Sequence, residues 1–223
     1  MRYASSDPRF GAVSLKPVQL AGLAHTDCTD PPPAEPLTDG AWRLSAETTE
    51  AFTESASATA DGFVYTAGGF GHAGGLQRFA PDAESHQALP GLPADRHHPM
   101  MASDGRHLYL AGGFTDRFAY VAADNFWRFD PETSQWEILA DMPNPRGAGA
   151  AVHLHGRIMI VGGVGVGTTL LSYDIGAGEW TSFPGDLRIP GDHIRAVVFE
   201  NEIWWIGGRI GEGPGGSTSN GVL

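Results

Sequence analysis

The stretch Ala150-Ala151-Val152-His153-Leu154-His155-Gly156-Arg157-Ile158-Met159-Ile160-Val161-Gly162-Gly163 decides the architecture. It holds an apolar run, a two-residue turn, a second apolar run rich in β-branched residues, and a glycine doublet that ends it. Two strands joined by a turn of this kind form a β-hairpin. The same text stands at three other places. Doublets Gly68-Gly69, Gly112-Gly113 and Gly207-Gly208 follow Phe63-Val64-Tyr65-Thr66-Ala67, His107-Leu108-Tyr109-Leu110-Ala111 and Glu202-Ile203-Trp204-Trp205-Ile206. The turns before these strands are Asp61-Gly62, Asp104-Gly105 and Glu200-Asn201. Successive doublets are 44, 50 and 45 residues apart, a period that marks a repeat architecture.

Outward from each hairpin the repeat continues. A third element follows the doublet: Leu76-Gln77-Arg78-Phe79, Trp127-Arg128-Phe129-Asp130-Pro131 and Leu171-Ser172-Tyr173-Asp174. A fourth begins with tryptophan in Trp136-Glu137-Ile138-Leu139 and Trp180-Thr181-Ser182-Phe183, and with His86 in the first copy. The doublets have a structural explanation, since glycine permits positive φ and close backbone approach. Gly162–Gly167 and Gly211–Gly216 are glycine-rich, but no Lys-Ser/Thr follows and no helix opens there, so they are not phosphate loops.

This pattern resembles the kelch repeat, over roughly residues 41–223. The resemblance implies an all-β fold: a kelch-type β-propeller of about four blades, each a four-stranded antiparallel sheet, as in the galactose oxidase-like propellers. The repeats fall at about 41–93, 94–143, 144–187 and 188–223. Residues 1–40, rich in proline and acid from Thr26 to Asp39, are expected to be a flexible leader. Two endings stay open. Ala41-Trp42-Arg43-Leu44 could supply the missing strand of the last blade and close a four-bladed ring. Alternatively the chain is a truncated or open arc of a larger ring, which in this family takes roughly six or seven blades. An open arc would leave apolar flanks that favour self-association.

Composition narrows function. The formal charge of −12 argues against nucleic acid and against anionic membrane surfaces. No apolar run is long enough to span a bilayer as a helix. No convincing secretory segment is present, and the compartment is left open. A single cysteine, Cys28, excludes an intrachain disulfide.

In this family the strand that leads each blade lines a central channel, and the loop before it sits at the channel rim. Counting back from each doublet aligns those loops. Sixteen back stand Phe52, Arg96, Arg146 and Gly191; fifteen back, Thr53, His97, Gly147 and Asp192; fourteen back, Glu54, His98, Ala148 and His193. The rim is therefore expected to gather Glu54, Arg96, His97, His98, Arg146, Asp192, His193 and Arg195 as a ligand-binding set. Arginine forks suit carboxylates, and His with Asp or Glu suits sugar hydroxyls. The competing reading makes Arg96 and Arg146 structural residues that bond loop carbonyls. A long insert, Gly113–Asn125, carries Phe114, Phe118 and Tyr120 as an aromatic contact surface, unless these pack over their own blade.

The histidines show no close ligand spacing, so no metal or other cofactor is expected. The Tyr–Cys copper chemistry of galactose oxidase is not expected either, because Cys28 lies in the leader. These residues favour a non-catalytic propeller that recognises a protein or a glycan. The alternative is a sugar-active enzyme resembling the sialic-acid mutarotases, in which Glu54 and a histidine move a sugar proton.

Overall fold

The computed structural model describes residues 15–17, 48, 50–80, 86–165, 170–183, 191–210 and 217–218. Strand β1 (Leu15–Pro17) precedes the repeats. Blade I is built from β2 (Ala56–Ala60), β3 (Phe63–Ala67), β4 (Leu76–Phe79) and β5 (Gln87–Leu89). Blade II contains β6 (Met100–Ser103), β7 (Leu108–Ala111), β8 (Phe126–Asp130) and β9 (Gln135–Ile138). The short β10 (Arg146–Gly147) leads into blade III, whose inner strands are β11 (Ala150–Leu154) and β12 (Arg157–Val161). After β13 (Val164–Gly165), which pairs with β10, blade III is completed by β14 (Leu170–Asp174) and β15 (Glu179–Phe183). Blade IV holds the hairpin β16 (Arg195–Phe199) and β17 (Glu202–Ile206), and β18 (Arg209–Ile210) pairs with β19 (Ser217–Thr218). Blades I to III are four-stranded antiparallel sheets in sequence order. Among the described residues no helix is long and apolar enough to cross a membrane.

Local chemistry fixes the hairpins. Asp61-Gly62, His155-Gly156 and Glu200-Asn201 have both turn residues at positive φ, the geometry of a type I′ turn. In blade II the turn falls one residue later than the sequence suggests. Ser103 pairs with Leu108, so the central residues are Gly105-Arg106 and not Asp104-Gly105. Gly105 has φ of 96°, which suits the first position of a type II′ turn. Asp104 instead caps that turn. It accepts hydrogen bonds from the backbone N–H groups of Arg106 (2.9 Å) and His107 (2.6 Å) and from the Tyr109 hydroxyl (3.0 Å). These donors hold its carboxyl at about 2 against the desolvation that opposes them. Tyr109, buried and next to that carboxylate, is pushed up to about 12.

Each interface between blades is an apolar layer made by alternate residues of adjacent sheets. Along β7, Leu108 and Leu110 pack with Tyr65 and Leu76 of blade I, whereas Tyr109 and Ala111 pack with Ile158, Ile160 and Tyr173 of blade III. Blades III and IV meet through Val152, Met159, Val161, Ile194 and Ile203. Buried side chains of this size stabilise by about 1.5–3 kcal/mol each. At the outer edge, Trp136 Nε1 donates to Pro90 O (3.1 Å) and Trp180 Nε1 to Ala140 O (2.7 Å), so the fourth-strand tryptophan latches its blade to the link before it.

Near the axis the doublets do the joining. The second glycine donates its N–H to the loop that leads into the next blade: Gly69 to Arg96 O (2.9 Å), Gly113 to Arg146 O (2.9 Å) and Gly163 to Gly191 O (2.6 Å). A Cβ on the first glycine would collide with that loop. On Gly68 it would lie 2.6 Å from Arg96 O, and on Gly112 it would overlap Arg146 O.

The arc is open. Gly207 has the same left-handed backbone, φ +70°, yet among the described residues a Cβ there would meet nothing within 4 Å. On the far side of blade IV, Val197 is 48%, Phe199 57% and Ile206 48% exposed. Where the sequence suggests Trp42 as the closing strand, that segment lies outside the described residues. Strand β17 pairs with β1 in parallel register (Leu15 with Ile203), so three residues of the leader join the sheet.

Two outcomes follow. Gly112→Ala should cost about 3 kcal/mol or more, since backbone blocks the new methyl, which is a fall of roughly 6–12 °C in Tm. Gly207→Ala meets only the backbone strain of about 1 kcal/mol, or roughly 2–4 °C; thermal melts of both variants compare the two. Second, the folded pKa of Asp104 lies below its unfolded value. Its contribution is therefore full above about pH 4 and is lost as pH falls toward 2. Asp104→Asn should flatten the acid limb of a stability-against-pH curve between those values.

Candidate functional site

The loops aligned fourteen residues before each doublet form a continuous belt. His98 N donates to Glu54 O (2.8 Å), Ala148 N to His98 O (2.9 Å) and His193 N to Ala148 O (2.7 Å). All four residues are left-handed, with φ of 55°, 53°, 59° and 54° for Glu54, His98, Ala148 and His193. Side chains pay about 1–2 kcal/mol for that conformation, and the belt hydrogen bonds and the packed blades on either side hold it.

A second ring lies beside the first. The residue after each doublet pairs with the residue fifteen before it: Phe70 with Thr53, Phe114 with His97, Val164 with Gly147 and Arg209 with Asp192. The two rings, with Tyr120 and Asp192, enclose a cavity of about 210 Å³ at the channel mouth. Its floor is polar and its walls are largely aromatic.

On that floor Glu54 Oε2 lies 3.3 Å from His98 Nε2 and 3.5 Å from His193 Nε2. Glu54 comes from the first blade and His193 from the last, so side chains from both ends of the open arc reach this point. Asp192, 2% exposed, receives the Arg209 guanidinium at 2.7 and 3.3 Å. His193 Nδ1 is 3.0 Å from Asp192 Oδ1 and 2.7 Å from Arg209 Nη2. His98 Nδ1 meets His97 Nδ1 at 2.7 Å, and His97 Nε2 meets Asp116 O at 3.1 Å. Burial drives His98 down to about 4 against the pull of Glu54, and burial also lowers His97. Burial therefore favours the neutral form of both rings.

Of the sequence-derived set, Glu54, His98, Asp192 and His193 line this cavity. The other four are elsewhere. His97 is buried between Phe70 (stacked at 4.3 Å) and Phe114, and faces a neighbouring groove of about 570 Å³. Arg96 borders the same groove, bonds Asn125 Oδ1 and Asp95 O at 2.6 Å each, and lies over the Trp127 ring. Arg146 is fully buried, bonds Gly162 O (3.2 Å) and Asn144 O (3.4 Å), and is pushed down to about 10 by burial. Arg96 and Arg146 thus bond loop carbonyls, as the structural reading expects. Arg195 opens β16, bonds Ile194 O (3.2 Å) and lines a separate hollow among the inner strands.

The insert splits its aromatics. Phe114, 2% exposed, and Tyr120 are cavity walls; only Phe118 projects, 87% exposed. Asp116 holds the tip by accepting from Phe118 N (2.8 Å) and Ala119 N (2.6 Å). Sequence reasoning missed Arg209. The signal was present, because the positions after the doublets read Phe70, Phe114, Val164 and Arg209, and the charged one stands out.

Comparison with known proteins agrees with this fold. The Kelch motif family model matches residues 96–143. The chain is similar to Kelch-like protein terF of Aspergillus terreus, with 29% identity over 132 residues, 53% of this chain and 28% of that protein. It is similar to mouse (Mus musculus) Kelch-like protein 35, with 28% identity over 145 residues, 65% of this chain and 24% of that protein. The chain therefore spans about a quarter of the length of each of these curated relatives. The solved structure of YjhT superposes with a TM-score of 0.64 at 17% identity, covering 74% of this chain and 60% of that one. The matched motif, four doublets in register and blades of the expected topology support a kelch-repeat family for this chain.

Proposed function

We propose that this chain is a non-catalytic binding propeller that recognises a protein or carbohydrate ligand at the channel mouth and on the Phe118 loop. Kelch-repeat proteins generally mediate protein interactions. The observation that carries the reading is Phe118: a large aromatic, 87% exposed, held at the tip of a loop braced by Asp116. A preordered exposed aromatic loses little entropy on binding and suits the centre of a contact surface. Beneath it the groove offers Arg96, Arg117, Asp95 and Asp116, charged groups of both signs that set orientation.

One observation favours a second reading. A carboxylate within 3.5 Å of two imidazoles is a plausible acid/base set for a sugar proton.

The experiment separates the two. The purified chain is probed with a displayed peptide library and a glycan array, and its binders are retested on variants. Phe118→Ala should weaken them by about tenfold or more, with Glu54→Ala and His193→Ala costing less. In parallel, anomer exchange of a panel of reducing sugars is followed by NMR. Acceleration lost in Glu54→Ala and His193→Ala would overturn the non-catalytic reading.

A further inference from the structure

The hydrogen bonds around the two rim histidines determine where their lone pairs point. Asp116 O is a carbonyl and can only accept, so His97 Nε2 carries the proton that meets it at 3.1 Å. In a neutral ring His97 Nδ1 is then an acceptor, and the 2.7 Å contact requires His98 Nδ1 to donate. That leaves His98 Nε2 without a proton, its lone pair facing the Glu54 carboxylate at 3.3 Å. A cation between the two atoms, whether a proton or a metal ion, satisfies both. His193 Nε2 likewise faces Glu54, at 3.5 Å, while its Nδ1 lies between Asp192 Oδ1 (3.0 Å) and Arg209 Nη2 (2.7 Å). A histidine whose second nitrogen is anchored by a carboxylate or a further acceptor is the usual form of a metal ligand.

The distances fit. One donor atom from each of Glu54, His98 and His193 lies within 4.8 Å of the other two. The 3.3 and 3.5 Å separations match the roughly 3.4 Å between ligands around a tetrahedral ion with bonds of about 2.1 Å. The belt explains why three ligands converge: it presents one side chain per blade to a common point, and the sequence of the belt is Glu, His, Ala, His. Arg209 is the opposing charge: its guanidinium contacts Asp192 twice, and its Nη2 also lies 2.7 and 3.3 Å from the two ring nitrogens of His193.

We infer that Glu54, His98 and His193 hold a single divalent first-row transition ion, with the place of Ala148 leaving one coordination position open to the cavity. Two nitrogens and one carboxylate oxygen suit zinc and its neighbours better than calcium or magnesium. The inference does not depend on what docks at the Phe118 loop. The ligands escape a search for short sequence motifs because each comes from a different blade.

The test uses the full chain, stripped with a chelator and titrated with Zn²⁺ by calorimetry and with Co²⁺ by visible absorption. One ion per chain is expected, with Co²⁺ bands typical of four-coordination. Glu54→Gln and His193→Gln change partly exposed ligands and should each weaken binding by at least about tenfold, with melting curves confirming that the fold is kept. Ala148→His should tighten binding, since a histidine already occupies that backbone conformation at two other belt positions. The surface variant His155→Gln should leave binding unchanged. Absence of stoichiometric uptake, or uptake that survives both Glu54→Gln and His193→Gln, would overturn the assignment.

Discussion

The second glycine of each of the first three doublets donates to a carbonyl of the loop that leads into the next blade, and the rest of the molecule depends on that contact. It brings neighbouring blades so close near the axis that the first glycine has no space for a side chain. At the same distance from the axis the leading loops can bond to one another, which creates the belt from Glu54 through His98 and Ala148 to His193. Strand composition makes the sheets, but this spacing makes the arc.

The belt separates structure from chemistry. Its hydrogen bonds use backbone atoms alone, so the side chain at each belt position is free to vary. Three of the four have become polar and one is alanine, which yields a cluster with a gap. The neighbouring ring behaves likewise: Phe70 and Phe114 close one side of the cavity, and Arg209 with Asp192 forms the other. Burial in this aromatic surround favours the uncharged form of His97 and His98. Neutral imidazoles with ordered Nδ1 partners favour binding a cation or a hydrogen-bonding ligand over simple ion pairing.

Most of the fold was legible in the sequence, because the doublets, turns and tryptophans recur at fixed offsets and each has a backbone reason to be there. The column fourteen residues before the doublet was legible for the same reason. Side-chain direction was not. Arg96 and Arg146 stand two residues earlier, and their side chains turn to the loop carbonyls instead of into the cavity. Phe114 looked like part of a free loop, yet it pairs with His97 as the first residue after a doublet. The shift of the blade II turn to Gly105-Arg106 was hidden because Asp104-Gly105 is itself a good turn pair, and only the cap made by Asp104 distinguishes them. The parallel pairing of β1 with β17 had no sequence signal in its three residues.

The belt is the part of this account with the sharpest consequence, since both the arc and the convergence of Glu54, His98 and His193 rest on it. Native-state hydrogen exchange measured residue by residue addresses it directly. The amides of His98, Ala148 and His193 should exchange only with global unfolding, together with those of Gly69 and Gly113, although all five lie in loops. Exchange of the three belt amides at the rate of the Arg117 amide in the exposed loop would show that the belt does not form, and would contradict the placement of the site.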